Sequence, residues 1–103
     1  MDLSADKHNM QALLERFPQQ LSAASSLGKL KLNKPKLVTI FGIGGSAWPA
    51  NIAQSIVNVN IPLTLVRDYA LPAYISKDTL AMVISYSGNT EEALANYTAL
   101  QQQ

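Results

Sequence analysis

Short apolar runs separate amphipathic segments along most of the chain. The runs at 37–41, 63–66 and 80–84 are rich in β-branched and aliphatic side chains and show almost no alternation with polar residues. This pattern is typical of parallel strands that are covered on both faces, and each run is too short for a helix. We therefore predict three buried parallel strands.

Helical spacing marks the first part of the chain. Apolar residues recur there at helical intervals, at Met10, Leu13, Leu14 and Phe17. The spacing predicts one helix over about 4–17. Pro18 suits the first turn of a second helix, which we expect to end near Gly28. The lysine-rich segment 29–36 then leads to the first strand as a linker.

Two further helices are predicted after the first and the third strand, over 47–57 and 90–103. Their apolar positions are Ile52, Ala53 and Ile56 in one, and Leu94, Tyr97 and Leu100 in the other. Strands that alternate with helices predict an α/β class, here a three-layer αβα domain around a parallel sheet. Three strands make a small sheet with an uncovered edge, and the sequence stops within a helical segment. We therefore expect 1–36 to be a helical segment with a linker, and 37–103 to be the first part of a truncated domain.

Composition narrows the classes of function. The 103 residues set a ceiling of one domain, and the net charge of +1 with its cations concentrated in the linker argues against nucleic-acid binding. The absence of cysteine excludes disulfides and thiolate metal sites. No signal peptide is visible, and no apolar run approaches the roughly 20 residues that span a bilayer. We expect a cytoplasmic protein with no membrane partner.

The segment 85–90, with the sequence SYSGNT, follows a predicted strand and opens a predicted helix. Its backbone N–H groups and the hydroxyls of Ser85, Ser87 and Thr90 converge where the helix dipole favours an anion. Gly88 lets the backbone approach an oxyanion closely. The segment therefore predicts a site for a phosphate monoester.

A simpler interpretation of this loop is an ordinary capped helix. Asn89 would be the N-cap, paired with Glu92 in the first turn. Capping leaves the three hydroxyls around one glycine unexplained, so phosphate binding is favoured. Glu91 and Glu92 would repel a phosphate if they faced it, and we expect them to lie in the first turn and point away.

The segment 42–47, with the sequence GIGGSA, also joins a strand to a helix. Gly42, Gly44 and Ala47 match the dinucleotide fingerprint, and Arg67 and Asp68 follow at about 20 residues, where a contact to a ribose or its 2′-phosphate is expected. A tight turn that allows close helix packing is the other interpretation.

The order of the strands separates these alternatives. If the first strand is central, with the second and third on either side, both loops leave the sheet at one switch point. Ser46 would then face the same anion as the hydroxyls of 85–90. A dinucleotide site does not require this convergence, so a sugar phosphate is favoured.

Four segments together resemble the sugar isomerase (SIS) domain and, within it, the N-terminal part of the bifunctional phosphoglucose/phosphomannose isomerase family. They are FPQQ at 17–20, GIGGSA at 42–47, VRDYALP at 66–72 and ISYSGNTEE at 84–92, in family order. The resemblance implies a flavodoxin-like SIS fold. It also implies that the substrate phosphate is bound by Ser46, Ser85, Ser87 and Thr90. Backbone contacts to the substrate are implied at Gly44, Gly45, Gly88 and Asn89.

The function that the resemblance implies is carbohydrate metabolism. The family interconverts glucose 6-phosphate or mannose 6-phosphate with fructose 6-phosphate, without a metal or cofactor, and the completed protein is expected to be a dimer. The family's catalytic glutamate, histidine and lysine come from later segments, and we expect His8 to be a surface residue. We therefore expect hexose phosphate binding without turnover by this chain alone. A non-catalytic sugar-phosphate sensor and a dinucleotide-binding oxidoreductase fragment are the alternatives.

Overall fold

The computed structural model describes residues 5–28, 31–58 and 60–103, which form two compact units divided between Lys31 and Leu32. The N-terminal unit contains helices α1 (Met10–Glu15) and α2 (Phe17–Ser25). The C-terminal unit contains strands β1 (Leu37–Phe41), β2 (Leu63–Val66) and β3 (Thr79–Val83), a 3₁₀ turn (Gly44–Ala47), and helices α3 (Trp48–Ile56) and α4 (Glu91–Gln101). Within these described ranges, no helix has both the length and the apolar character to cross a membrane.

The first helix is shorter than its periodicity predicts. The Asp6 carboxylate accepts hydrogen bonds from the backbone N–H groups of Met10 at 2.7 Å and Gln11 at 2.9 Å. These bonds satisfy donors that a first turn leaves free, so they fix the start of α1. The bond from Gln11 has the largest part in lowering the pKa of Asp6, followed by the bond from Met10. The predicted start near Ser4 lies outside the described residues.

The centre of the C-terminal unit is β1, in a parallel sheet with the order β2-β1-β3. Phe41 at the end of β1 lies opposite Val66 of β2 on one side and Val83 of β3 on the other. The condition set in the sequence analysis, a central first strand with the other two on either side, is therefore met. The helices and the parallel sheet have the architecture of an incomplete α/β, flavodoxin-like fold, as the sequence predicts.

A chain of hydroxyls accounts for a polar residue in the core. Thr39 on β1 is fully buried, and its Oγ1 lies 3.0 Å from Oγ1 of Thr64 on β2. Tyr74 donates its phenolic proton to the same Thr64 oxygen at 3.3 Å. Buried polar atoms require such partners, and these bonds also fasten the connection 67–78 to the sheet.

The outer edge of β3 has no neighbouring strand within the described part of the chain. A groove of about 740 Å³ lies beside it, lined by residues that include Leu80 and Val83 of β3 and Tyr97 and Leu100 of α4. The backbone groups on this edge of β3 are unpaired, as at any uncovered sheet edge.

The helices of the C-terminal unit bury residues other than their large apolar ones. In α3, Ala50 is fully buried, whereas Ile52 and Ile56 are exposed. In α4, Asn96 is buried and Leu94 is half exposed. Small or hydrogen-bonding side chains therefore face inward, and the periodicity of large apolar residues does not identify the buried face of either helix.

The core of β1 gives a stability prediction. Ile40 is 5% exposed and Ile52 is 52% exposed. Replacing Ile40 with Val should lower the free energy of unfolding by about 1 kcal/mol, because a buried methyl group is lost. Ile52→Val removes the same group from an exposed site and should cost less. Urea denaturation followed by circular dichroism measures both, and an equal loss in the two variants would contradict the placement of the core.

Candidate functional site

The backbone hydrogen bonds of the sheet continue past the ends of the strands. The N–H group of Gly42 donates to the carbonyl oxygen of Val66 at 3.1 Å, and that of Ile84 donates to the carbonyl oxygen of Phe41 at 2.8 Å. The loops that follow β1 and β3 therefore start side by side at the carboxyl edge of the sheet. Ligands bind at this edge, where the strand order reverses, in open α/β sheets.

The loop after β1 is a tight turn that depends on glycine. A Cβ atom at Gly42 would lie 2.9 Å from the carbonyl oxygen of Ser46, too close for any side chain. Gly44 has a φ of +57°, in the left-handed region that favours glycine. Gly44 also begins the 3₁₀ turn that carries Ser46 towards the neighbouring loop.

The loop after β3 brings three hydroxyls together, as the sequence predicts. We call the side chains of Ser85, Ser87 and Thr90 the hydroxyl cluster. The Oγ atom of Ser85 lies 2.8 Å from Oγ1 of Thr90 and 3.5 Å from Oγ of Ser87, and the Ser87 and Thr90 oxygens are 3.3 Å apart. Gly88 closes this loop with a φ of +70°.

Backbone N–H groups donate to the serine oxygens. The Oγ atom of Ser85 accepts from the N–H of Gly88 at 3.1 Å, and the Oγ atom of Ser87 accepts from the N–H of Asn89 at 3.2 Å. A hydroxyl that accepts one hydrogen bond still has its own proton to donate. The backbone thus holds the oxygen atoms of Ser85 and Ser87 in place. The N–H groups of Gly88 and Asn89 are engaged within the loop.

Ser46 reaches the second loop from the first. Its Oγ atom accepts a hydrogen bond from the backbone N–H of Tyr86 at 3.3 Å, the link between the two loops. Ser46 and Ser85 line one space of about 530 Å³, which we call the crevice. The other lining residues are Gly45, Pro49, Ile84 and Tyr86. Ser87 and Thr90 do not line the crevice, but they are hydrogen-bonded to Ser85, which does.

The helix after the cluster does not start as the capping interpretation predicts. Thr90, not Asn89, is the N-cap of α4, and it makes no side-chain capping bond. Its hydroxyl faces Ser85 and Ser87 instead of the first turn. An α-helix leaves its first N–H groups without partners inside the helix, so the start of α4 offers free donors beside the cluster.

The acidic residues of the first turn lie near a tyrosine from the loop after β2. Glu91 and Glu92 occupy the first turn of α4, as predicted. Partial burial raises the pKa of Tyr69, and the nearby carboxylates of Glu91 and Glu92 raise it further. Each of these effects disfavours the tyrosinate, so Tyr69 stays a neutral hydrogen-bond donor.

Asn96 is a buried polar residue that the sequence analysis did not identify. Its side chain is 3% exposed, and its Nδ2 donates to the carbonyl oxygen of Asp68 at 2.8 Å. Its Oδ1 has no protein partner within the described residues. The bond fastens the loop after β2 to α4. A polar residue between apolar positions of a helix is the one signal that could have indicated it.

The described residues contain no group of three histidine, cysteine, aspartate or glutamate side chains placed to hold a metal ion. The hydroxyl cluster and Ser46 offer hydrogen bonds from neutral groups.

Comparisons with known proteins give one consistent family. The chain is 41% identical over 88 residues to a bifunctional phosphoglucose/phosphomannose isomerase from Caldicellulosiruptor bescii, a match that covers 79% of this chain and 26% of that protein. The corresponding protein from Aquifex aeolicus is 40% identical over 60% of this chain and 20% of its own length. That from Thermoplasma volcanium is 38% identical over 63% of this chain and 21% of its own length.

The chain thus spans about a quarter or less of the length of these curated relatives. No protein-family model matches it, and no solved structure matches it significantly. The resemblance to the bifunctional phosphoglucose/phosphomannose isomerases that the sequence motifs indicate is confirmed.

The loop after β3 gives a prediction about backbone conformation. Alanine at position 88 would hold a side chain at a φ of +70°, which should cost about 1–2 kcal/mol of stability. Gly45 is the matched control, because its φ is not in that region and a Cβ atom there would meet nothing within 4 Å. Gly88→Ala should therefore lower the urea midpoint and Gly45→Ala should not. Equal midpoints would show that the loop does not hold this conformation.

Proposed function

Because this chain is homologous to part of the bifunctional phosphoglucose/phosphomannose isomerases, we propose that it binds the phosphate group of a hexose phosphate at the hydroxyl cluster and Ser46. The chain would correspond to the first part of an SIS-type domain. The relatives' names supply the substrate class, glucose and mannose phosphates, and the residues at the carboxyl edge of the sheet supply the chemistry.

The observation that carries the proposal is that three serine oxygens from two loops are held in place by backbone hydrogen bonds. Ser46, Ser85 and Ser87 each accept a backbone N–H at 3.1–3.3 Å. Each hydroxyl keeps its own proton, and the protons that Ser85, Ser87 and Thr90 share with one another could turn to a phosphate, which accepts hydrogen bonds at every terminal oxygen. The start of α4 adds free N–H groups and the positive end of the helix dipole.

The sugar would extend from the phosphate into the crevice. Gly45 lines the crevice without a side chain, so the backbone of the first loop would lie against the ligand. Gly44 lies beside it in the turn. Gly88 and Asn89 would support the site through their bonds to the serines, which hold the hydroxyls in place.

A dinucleotide is the weaker candidate for the same loops. In a dinucleotide site the pyrophosphate lies at the N-terminus of the helix after the first strand. Pro49 is in the first turn of α3 and has no N–H group to donate there. Arg67, the candidate for a contact to a 2′-phosphate, instead donates to Oδ1 of Asn51 at 3.4 Å. This bond directs its charge towards α3.

We further propose that the chain binds its ligand without isomerising it. Moving a proton between adjacent sugar carbons requires a positioned base, and opening the ring requires a second acid or base. The single histidine of the sequence, His8, belongs to the N-terminal unit. A sugar-phosphate sensor would use the same crevice, and a cytoplasmic dimer is the setting expected from the family resemblance.

Two threonine variants, one in the hydroxyl cluster and one outside it, test phosphate binding. Thr90→Val removes one hydroxyl of the cluster but no capping bond, since Thr90 makes none. The affinity for glucose 6-phosphate should fall roughly tenfold or more, because hydrogen bonds to a charged group are strong. Titrations followed by ¹⁵N–¹H NMR spectra measure the loss at millimolar ligand. Thr98→Val, at an exposed position of the same helix, is the control and should bind like the original chain. Equal affinities for both variants would contradict the site.

A ligand panel tests the class of substrate. Glucose 6-phosphate, mannose 6-phosphate and fructose 6-phosphate should each change the fluorescence of Trp48, the single tryptophan, which begins α3 beside the first loop. NADP should not. A coupled assay should detect no conversion of fructose 6-phosphate by the chain alone. A response to NADP without a response to any hexose phosphate would overturn the proposal, and sustained turnover would overturn its non-catalytic part.

A further inference from the structure

The crevice has two unlike sides. Ser46 and Ser85 line it with hydroxyls, whereas Pro49, Ile84 and Tyr86 line it with apolar surface. Small-molecule sites commonly combine a few placed polar groups with apolar and aromatic walls. A ligand that fits both sides has an anionic end and a less polar body.

Tyr86 is exposed, but its backbone is hydrogen-bonded to the first loop. Its side chain is 99% exposed, and its hydroxyl makes no hydrogen bond within the described residues. Its backbone N–H is held by Oγ of Ser46, and its neighbours along the chain are Ser85 and Ser87. The backbone thus fixes the position from which the ring extends at the mouth of the crevice.

The crevice is large enough for a phosphorylated sugar, and inorganic phosphate alone would not fill it. Its volume of about 530 Å³ lies inside the range of about 300–1,000 Å³ that is usual for small-molecule sites. Inorganic phosphate would occupy the hydroxyl side alone and leave the apolar side to water. A hexose presents C–H groups on the faces of its ring, and these can cover an aromatic surface.

We propose that Tyr86 determines specificity for the sugar, by placing its aromatic ring against the C–H face of a hexose whose phosphate is held by the hydroxyls. This inference rests on the proposed function and adds the residue that distinguishes a hexose phosphate from phosphate itself. The residue is 99% exposed, so the ring gives up little protein contact when a ligand covers it, although ordering the side chain and the ligand offsets part of the gain.

The test compares two ligands on four chains. Inorganic phosphate and glucose 6-phosphate are titrated into the original chain, Tyr86→Ala, Tyr86→Phe and Tyr97→Ala, with ¹⁵N–¹H NMR spectra as the readout. Tyr86→Ala should weaken glucose 6-phosphate by roughly threefold to tenfold, the size of an aromatic stacking contact, and leave inorganic phosphate unchanged. Tyr86→Phe keeps the ring and should bind both ligands normally. Tyr97→Ala removes a half-exposed tyrosine from α4 and should also bind both ligands normally.

The other outcomes overturn the inference in distinguishable ways. An equal loss for both ligands in Tyr86→Ala would mean that the residue acts through the backbone of the loop. An unchanged affinity for both would mean that the ring does not touch the sugar. A Tyr86→Ala chain that differs from the original in its sedimentation but not in its selectivity would assign the ring to a contact between copies. If neither ligand binds the original chain, the proposed function fails together with this inference.

Discussion

The hydrogen bonds on both sides of β1 are the constraint on which the rest of the C-terminal unit depends. β1 is paired in register with β2 and β3, so three chain segments leave the sheet at one level. The bonds from Gly42 to Val66 and from Ile84 to Phe41 extend this pairing into the loops. Residues about 40 positions apart in the sequence, such as Ser46 and Tyr86, then come within hydrogen-bonding distance without any long side chain having to bridge them.

The sequence alone predicted the features that follow from local pattern. The apolar runs identified β1 and β2 with their bounds and β3 to within one residue, and the strand order that the switch-point argument assumed is the one observed. It did not predict features that depend on tertiary packing. Asn96 is buried because the carbonyl of Asp68 needs a donor, and Ile52 is exposed because Ala50 is the residue that faces inward. Periodicity records which residues are apolar, not which contacts are available.

The candidate site also combines features that the local sequence predicts with features that depend on tertiary packing. Three hydroxyls around Gly88 could be recognised from the spacing of the motif, because the loop itself brings them together. The identity of the N-cap could not, since Asn89 and Thr90 are both ordinary capping residues. The sequence analysis also missed the apolar wall of the crevice, because Pro49 lies in the first turn of α3, Ile84 lies in the loop after β3, and the sheet brings them together.

The hydroxyl cluster itself carries no charge, and this determines how an anion would approach it. The fields of hydroxyls and of a helix end fall off within a few ångströms, whereas those of charged side chains reach across a Debye length of about 8 Å at physiological ionic strength. An approaching phosphate would gain little attraction from a distance. Added salt would therefore change its association rate only slightly, and differences between ligands would appear in how long each remains bound.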